Sequence, residues 1–178
     1  DLNLQLTGQV MEITGTGALN GVAAKIKWRE EFARPGGVRS RVDVAGRLSD
    51  EDRKALGLPE TKYATGAVTA EIGYTSFVDG RGEVIVKGDL KEAELNAPLW
   101  GWRKPSDTPG NLYLFVKMQK DGGVVFEDVR LTTPKIQLKA GVTPNADFTG
   151  VRNVELRNFE YAGNQMQGTI RPIESGGY

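Results

Sequence analysis

The segment Trp102–Lys104 carries the side chains of this sequence that are best suited to holding a polar ligand. It lies within GWRKPSDTPG, where an indole ring and two cations precede two prolines. An aromatic ring can stack on a ligand ring, and the two cations can pair with a phosphate or a carboxylate. The same stretch also suits a corner between two strands, because Pro105 and Pro109 have no amide proton to donate to a sheet. We favour the corner, with Trp100 and Trp102 on one face at its end.

Carboxylates are the second group of candidates, and Asp50, Glu51 and Asp52 form their densest cluster. Such a cluster could ligate a hard cation, but acidic side chains are also typical of a helix N-terminus, where they face the positive end of the helix dipole. We favour the helix. Glu127 and Asp128 are adjacent in a strand-like run. This predicts that they point to opposite faces, which would prevent them from acting as an acid and base pair.

The composition excludes several kinds of active site. The chain has neither His nor Cys, which removes Ser-His-Asp and Cys-His catalysis and the usual imidazole and thiolate metal sites. Lys plus Arg and Asp plus Glu number 23 each and are scattered, which argues against nucleic acid as a partner. The composition therefore predicts no metal and no cofactor in a functional site. Together with the apolar runs described below, a neutral chain without His favours a protein that is not an enzyme.

The length and the apolar runs limit the organisation of the chain. A chain of 178 residues suits one domain, so residues 1–178 are treated as a single unit. No run approaches the roughly 20 consecutive apolar residues that a membrane-spanning helix needs. The start does not resemble a signal peptide, there is no initiator Met, and the end reads ESGGY. We interpret the sequence as a piece excised from a longer protein, whose membrane attachment would lie in segments outside it.

Strict alternation of apolar and polar residues dominates the chain and predicts strands that have one apolar face. We count about eleven such runs, separated by turn signals that include Asn20-Gly21, Asp79-Gly80 and Gly163-Asn164. These pairs favour tight hairpins, so we predict an all-β, mostly antiparallel meander that curls into an open apolar groove. The residues predicted to line it are Leu112, Leu114, Val116, Ile136, Leu138, Val154 and Leu156.

One segment breaks the alternation and predicts a short helix over residues 50–56. Ser49 is a good N-cap, and Asp52 follows three residues later, as in a capping box. Gly57 and Pro59 are stop signals. The helix would be about two turns long.

Four segments together resemble the AsmA-like proteins of the bacterial envelope, most closely the YhdP-like branch. The resemblance covers residues from about 40 to the end. It implies a long antiparallel sheet with an apolar groove, held by an inner-membrane helix outside this sequence, in the periplasm. It also implies phospholipid transport between the inner and outer membranes, a role in outer-membrane integrity, and no catalytic residues. The segments are VDVAGRLSDEDRKALGLPETKYATGAVTAEI, LWGWRKPSDTPG, FEDVRLTTPKIQLKAGVTPNADF and VELRNFEYAGNQMQGTI.

Alternation alone leaves two other functions open. The same pattern is typical of a closed β-sandwich, which would be a binding or adhesion module with its function in the loops. A carbohydrate-active enzyme with two carboxylates brought together from distant strands is a third possibility. A groove would leave its apolar stripe accessible in the ligand-free protein, whereas a sandwich would bury it.

Overall fold

A computed structural model describes residues 1–32, 36–58, 63–98 and 101–171 of the chain. Within these residues the protein is almost entirely β-structure with a single short helix, so the predicted fold class is confirmed. The elements are β1 (Leu2–Leu6), β2 (Val10–Leu19), β3 (Val22–Glu31), β4 (Val38–Leu48), α1 (Asp50–Ala55), β5 (Ala64–Gly66), β6 (Val68–Phe77), β7 (Gly82–Asp89), β8 (Ala93–Ala97), β9 (Trp102–Lys104), β10 (Asn111–Met118), β11 (Val124–Thr132), β12 (Ile136–Pro144), β13 (Val151–Tyr161) and β14 (Asn164–Ile170).

Eleven strands form one long antiparallel sheet in the order β1-β2-β3-β4-β6-β7-β10-β11-β12-β13-β14. Each strand of this sheet pairs with the sheet strands that precede and follow it in the chain, which is the predicted meander. The strands β1 and β14 are its two edges and do not pair with each other. The long sheet is therefore open rather than closed into a barrel.

Tight turns join neighbouring strands where the Asn-Gly and Asp-Gly pairs predict them. Between β2 and β3, Asn20 and Gly21 have φ values of 50° and 84°. Two consecutive positive φ values match a turn that twists in the same sense as the strands it joins. Gly80 lies between β6 and β7 and has a φ of 88°.

The helix α1 begins after Ser49, as predicted. Ser49 Oγ accepts a hydrogen bond from the Asp52 amide at 3.1 Å, and Asp52 Oδ2 accepts one from the Ser49 amide at 2.8 Å. This reciprocal arrangement satisfies two amides at the start of the helix. Leu56 is the C-cap, and Gly57 follows with a φ of 75°. Of the two predicted stop residues, Pro59 lies outside the described residues.

A second sheet, in the order β5-β8-β9, is not predicted by the alternation. We call it the small sheet. Strand β5 belongs to the connection between β4 and β6, and β8 and β9 belong to the connection between β7 and β10. Because β4 and β7 run in the same direction, both connections leave the long sheet at the same end. Strands β5 and β9 have three residues each, too few for a period-two pattern to be seen.

The buried core lies between the small sheet and one end of the long sheet. Trp102 of β9 is 6% exposed, and it packs with Ile136 of β12 and Phe159 of β13, which are 2% and 7% exposed. The small sheet therefore covers the apolar side of β12 and β13 at this end. The partly buried residues that complete this core are Leu95, Ala97, Leu131, Leu138, Leu156 and Tyr161.

Candidate functional site: the apolar face of the long sheet

The register of the long sheet brings one apolar side chain from each of its eleven strands into a single row. Leu4 of β1 pairs with Ile13 of β2, which in turn pairs with Trp28 of β3. Directly paired residues in antiparallel strands point to the same face. The pairing continues strand by strand across the sheet to β14. This set, which we call the apolar row, is Leu4, Ile13, Trp28, Val42, Tyr74, Val84, Val116, Phe126, Val142, Val154 and Ile170.

A second row lies beside the first and contains only glycine and aliphatic residues. It begins at Leu2 on β1 and ends at Gly168 on β14. We call the side of the sheet that carries both rows the apolar face. The second row is Leu2, Gly15, Ile26, Val44, Ile72, Val86, Leu114, Val129, Ala140, Leu156 and Gly168.

The alternate side chains form a charged surface on the opposite side, which we call the polar face. Glu71 Oε2 lies 4.0 Å from Lys87 Nζ on the next strand, and the Arg130 guanidinium lies 5.1 Å from the ring centroid of Tyr113. One register row of the polar face, from β2 to β13, is Thr16, Lys25, Ala45, Glu71, Lys87, Tyr113, Arg130, Lys139 and Asn158. The long sheet is therefore strongly two-sided.

Most of the apolar row is accessible to solvent. Leu4 and Ile170, at its two ends, are 60% and 58% exposed, and Tyr74 near its middle is 37% exposed. Val116 is its one buried member, at 8%, and the others are half-buried. The small sheet covers the apolar face at the end of the long sheet where Ile136 and Phe159 lie. A closed sandwich would need a second sheet over the whole row.

The seven residues predicted to line a groove all lie on the apolar face. Val116 and Val154 belong to the apolar row, and Leu114 and Leu156 belong to the second row. Leu112 and Leu138 lie in the next row, on β10 and β12. The structure thus brings the predicted set together on one side of the sheet, on the three strands β10, β12 and β13. Within this set, Ile136 is buried in the core beneath Trp102, and Leu138 and Leu156 pack against the same core, so these three do not lie on the open part of the face.

The Trp102–Lys104 segment is only partly the corner that its prolines suggest. These three residues form β9, and only the residues after them form the connection to β10. Trp102 packs in the core, and the guanidinium of Arg103 pairs with both carboxylate oxygens of Glu94 at 2.8 and 2.6 Å. Trp100 lies outside the described residues. The Trp102 indole and the Arg103 guanidinium, which could have held a ligand, are therefore engaged in contacts within the protein.

Lys104 has a structural environment that the sequence does not reveal. The residue is 2% exposed, and its Nζ donates to the carbonyl oxygens of Ala93 at 2.7 Å and Pro105 at 3.1 Å. Burial lowers the pKa of Lys104, and the carboxylates of Asp89 and Asp107 oppose that shift. The ammonium group therefore fastens β8 to the segment that follows β9.

The carboxylate clusters are engaged in local interactions. Asp50 accepts a hydrogen bond from the Gly66 amide at 3.0 Å and also pairs with the guanidinium of Arg53. Asp52 completes the capping box. Among the described residues, no group of three or more possible ligands is arranged to hold a metal ion.

The prediction that Glu127 and Asp128 point to opposite faces is wrong. A β-bulge shifts the pairing of β11 with β12 at this point, and an extra residue changes the phase of the side chains. Glu127 lies 3.3 Å from Lys117 Nζ, and Asp128 pairs with Arg130, so both carboxylates reach cations of the polar face. Each is neutralised by its own partner, and Arg130 holds the pKa of Asp128 below its usual range.

A depression of about 620 Å³ lies on the polar face over β3, β4, β6 and β7. Gly73 has no side chain there and Ala45 has only a methyl group, and charged groups of both signs surround them. The charged lining residues are Lys25, Lys27, Arg41, Asp43, Glu71, Glu83 and Lys87. This balance of charge favours a solvated surface over a site for one class of ion.

No protein-family model, no curated protein and no solved structure matches this chain. Across the described ranges, no helix is long and apolar enough to cross a bilayer.

Several residues of the apolar row are absent from the predicted lining, notably Tyr74, Val84 and Phe126. Tyr74 lies in a run that alternates, whereas Val84 begins the apolar triplet Val-Ile-Val and Phe126 follows two valines, so alternation does not assign these two to a face. Their alignment with Val116 depends on cross-strand register, which alternation does not specify. Only the assembled sheet reveals that the row is continuous.

Proposed function

We propose that this chain is a non-enzymatic segment of a bacterial envelope protein whose apolar face carries phospholipid acyl chains between the inner and outer membranes. The apolar row is the observation that supports the proposal. It crosses all eleven strands of the long sheet without a charged residue, and Val116 is its one buried member. At about 4.8 Å per strand the row extends roughly 50 Å. The resemblance to the AsmA-like proteins supports the same function, a periplasmic location and a contribution to outer-membrane integrity.

The borders of the apolar face favour a ligand that runs across the strands rather than along them. Beyond the apolar row, the next register row carries the polar residues Glu30, Ser40 and Ser76 on β3, β4 and β6. On the other side, the small sheet stands over β12 and β13 through Trp102. An acyl chain lying along the row would contact apolar side chains throughout. Its headgroup would remain free to reach water.

The energetics also favour an apolar ligand on this face. Exposed apolar area costs about 25 cal/mol per Å² relative to burial. A contiguous apolar surface on a soluble protein usually marks an interaction site. A hydrocarbon chain needs no hydrogen-bond partner, which suits two rows that carry no charged side chain and in which the Trp28 Nε1 already donates to Ser40 Oγ at 2.9 Å. The closed-sandwich alternative lacks the second large sheet that it requires within the described residues.

Two variants of adjacent residues on β10 test the proposal. Leu114→Asp puts a carboxylate on the apolar face, and Phe115→Asp makes the same replacement on the polar face. We expect native mass spectrometry and lipid extraction to find phospholipid on the freshly purified wild-type chain and on Phe115→Asp, and little on Leu114→Asp. In the full-length protein, Leu114→Asp should also obstruct lipid passage.

Denaturation of both variants is the control. An open face can rewet around the carboxylate of Leu114→Asp, so this variant should stay folded, whereas a dry packed interior would bury the charge at a cost of several kcal/mol. Global unfolding of Leu114→Asp would contradict an open face. A wild-type chain that carries no lipid, and takes none up from phosphatidylethanolamine vesicles, would contradict the function.

A further inference from the structure

Glu30 is an exception on the apolar face of the long sheet. Of the residues that the described strand pairings place on this face, it alone carries a charge. It pairs with Met11 on β2 and with Ser40 on β4. Trp28 of the apolar row precedes it by two residues on the same side of β3, about 7 Å along the strand. A single carboxylate therefore borders the row that we propose for the acyl chains.

The Glu30 carboxylate is only loosely held by the protein. Its side chain is 21% exposed, and its one ion pair within the described residues is with Arg39, whose Nε lies 3.7 Å away. That distance is too long for a hydrogen bond, and the Arg39 side chain is 68% exposed. An ion pair with so exposed a partner contributes little to stability. The carboxylate of Glu30 can therefore still accept a cation from a ligand.

Two serine hydroxyls and an indole ring lie beside Glu30 at the same border. Trp28 Nε1 donates to Ser40 Oγ at 2.9 Å, which fixes the ring next to the border. Ser40 also pairs with Ser76 on β6. Because Ser40 serves Trp28 as an acceptor, its hydroxyl proton can still be donated to a ligand oxygen. The border thus offers a carboxylate and an indole for a cation, and hydroxyl donors for an anion.

We propose that this border, formed by Glu30, Ser40 and Ser76, receives the lipid headgroup and selects a zwitterionic one with an ammonium group, as in phosphatidylethanolamine. The inference rests on the proposed function of the apolar face. Glu30 accepts the ammonium group, the serine hydroxyls donate to the phosphate, and the acyl chain meets the apolar row at Trp28. An anionic headgroup without an ammonium group, as in phosphatidylglycerol, brings its phosphate to a carboxylate that repels it.

The position of the border at the ends of the strands agrees with this orientation of the lipid. Glu30 and Ser76 are the next-to-last residues of β3 and β6. The small sheet is attached at the opposite ends of the strands, after Leu48 of β4 and Asp89 of β7. The headgroup therefore lies at the end of the strands that is remote from the small sheet, where it can keep its contact with water.

Uptake of two lipids from mixed vesicles tests the proposal. The 178-residue chain is incubated with vesicles of equal parts phosphatidylethanolamine and phosphatidylglycerol that have the same acyl chains, and the bound lipids are quantified by extraction and mass spectrometry. The chain has no net charge, so its overall field favours neither lipid. We expect the wild-type chain to carry phosphatidylethanolamine in roughly threefold or greater excess. High salt should reduce that excess.

Two isosteric variants assign the preference to Glu30. Glu30→Gln removes the charge and keeps the side-chain volume, so we expect an unchanged melting temperature and nearly equal amounts of the two lipids. Glu71→Gln is the matched control, because it removes a carboxylate of the polar face and should keep the wild-type ratio.

The possible outcomes separate this proposal from the proposed function. A wild-type chain that carries both lipids in the proportion of the vesicles would overturn the headgroup selection and leave the acyl-chain function standing. A preference that persists in Glu30→Gln would do the same. A chain that takes up neither lipid would overturn both proposals.

Discussion

Arg157 donates a hydrogen bond from Nη1 to the main-chain carbonyl oxygen of Glu127 at 2.7 Å, across the intervening strand β12. Both residues lie at register shifts. The pairing of β11 with β12 shifts register between Phe126 and Val129. The pairing of β12 with β13 skips Arg157, because Lys139 pairs with Asn158 and Ala140 pairs with Leu156. A bulge leaves main-chain groups without a ladder partner. The guanidinium of Arg157, at the irregularity in β13, thus donates a hydrogen bond to the main-chain carbonyl at the bulge in β11.

Gly141 on β12 lies beneath that guanidinium. A Cβ atom at this position would lie 2.9 Å from Nη2 of Arg157, so Gly141→Ala should displace the guanidinium from the Glu127 carbonyl. We expect a loss of about 1–2 kcal/mol in unfolding free energy, measured by chemical denaturation. Gly168→Ala is the matched control, because nothing lies within 4 Å of a Cβ atom there. Equal losses in the two variants would refute this account of the bulges.

The N-cap of α1 gives a second prediction. Ser49→Ala removes the acceptor for the Asp52 amide and should lower the unfolding free energy by about 1 kcal/mol. Ser49→Thr keeps the hydroxyl and should retain most of that stability. Thermal denaturation of both variants measures the difference. Indistinguishable melting of Ser49→Ala and the wild-type chain would count against the cap.

The same cap predicts a dependence of stability on pH. Hydrogen bonds from the main chain and side chain of Ser49 lower the pKa of Asp52, and the charge of Arg47 contributes in the same direction. Because folding favours the ionised form, this stabilisation is present above about pH 4, the ordinary pKa of an unfolded Asp, and is lost as the pH falls through the lower folded value. The stability difference between the wild-type chain and Asp52→Asn should therefore shrink in acid. A difference that stays constant with pH would contradict the prediction.

The buried ammonium of Lys104 gives a fourth prediction. Lys104→Met keeps much of the side-chain volume but removes the donor to the carbonyl oxygens of Ala93 and Pro105. Leaving buried acceptors unpaired should cost about 1–3 kcal/mol. Arg103→Met is the matched control, because the Arg103 side chain is 64% exposed and makes a surface ion pair with Glu94 that is worth at most about 1 kcal/mol. A larger loss in Arg103→Met would show that Lys104 does not fasten the small sheet.

Much of the long sheet could be predicted because its physical causes are local. Alternation in residues 111–118 identifies Leu112, Leu114 and Val116 as one face of a strand, and the structure confirms that they share it. The Asn20-Gly21 pair predicts a tight turn because its geometry requires positive φ. The cap at Ser49 depends on residues only three apart. In each case the interacting groups are close in sequence.

The features that could not be predicted depend on contacts between distant segments. Strand β9 has three residues and is held by its pairing with β8. It is too short for an alternating pattern to indicate it in the sequence. The bulge at Glu127 reverses the phase of β11 without any glycine or proline to mark it. The burial of Lys104 depends on the carbonyl oxygens of Lys91, Ala93 and Pro105, which accept hydrogen bonds from its ammonium group. The sequence alone does not indicate that a charged side chain will be buried.

The strand order of the long sheet has a consequence for how the protein unfolds. Since each strand of the long sheet pairs only with its neighbours in the order, the stability of the sheet is close to a sum of neighbour-to-neighbour interfaces, as in repeat proteins. Detaching an edge strand breaks its hydrogen bonds to one neighbouring strand, whereas detaching a central strand breaks the hydrogen bonds to two. Opening should therefore begin by fraying at β1 and β14 and advance inward. In the C-terminal half, we expect β12 and β13 to open last, because the small sheet packs on them at Ile136 and Phe159.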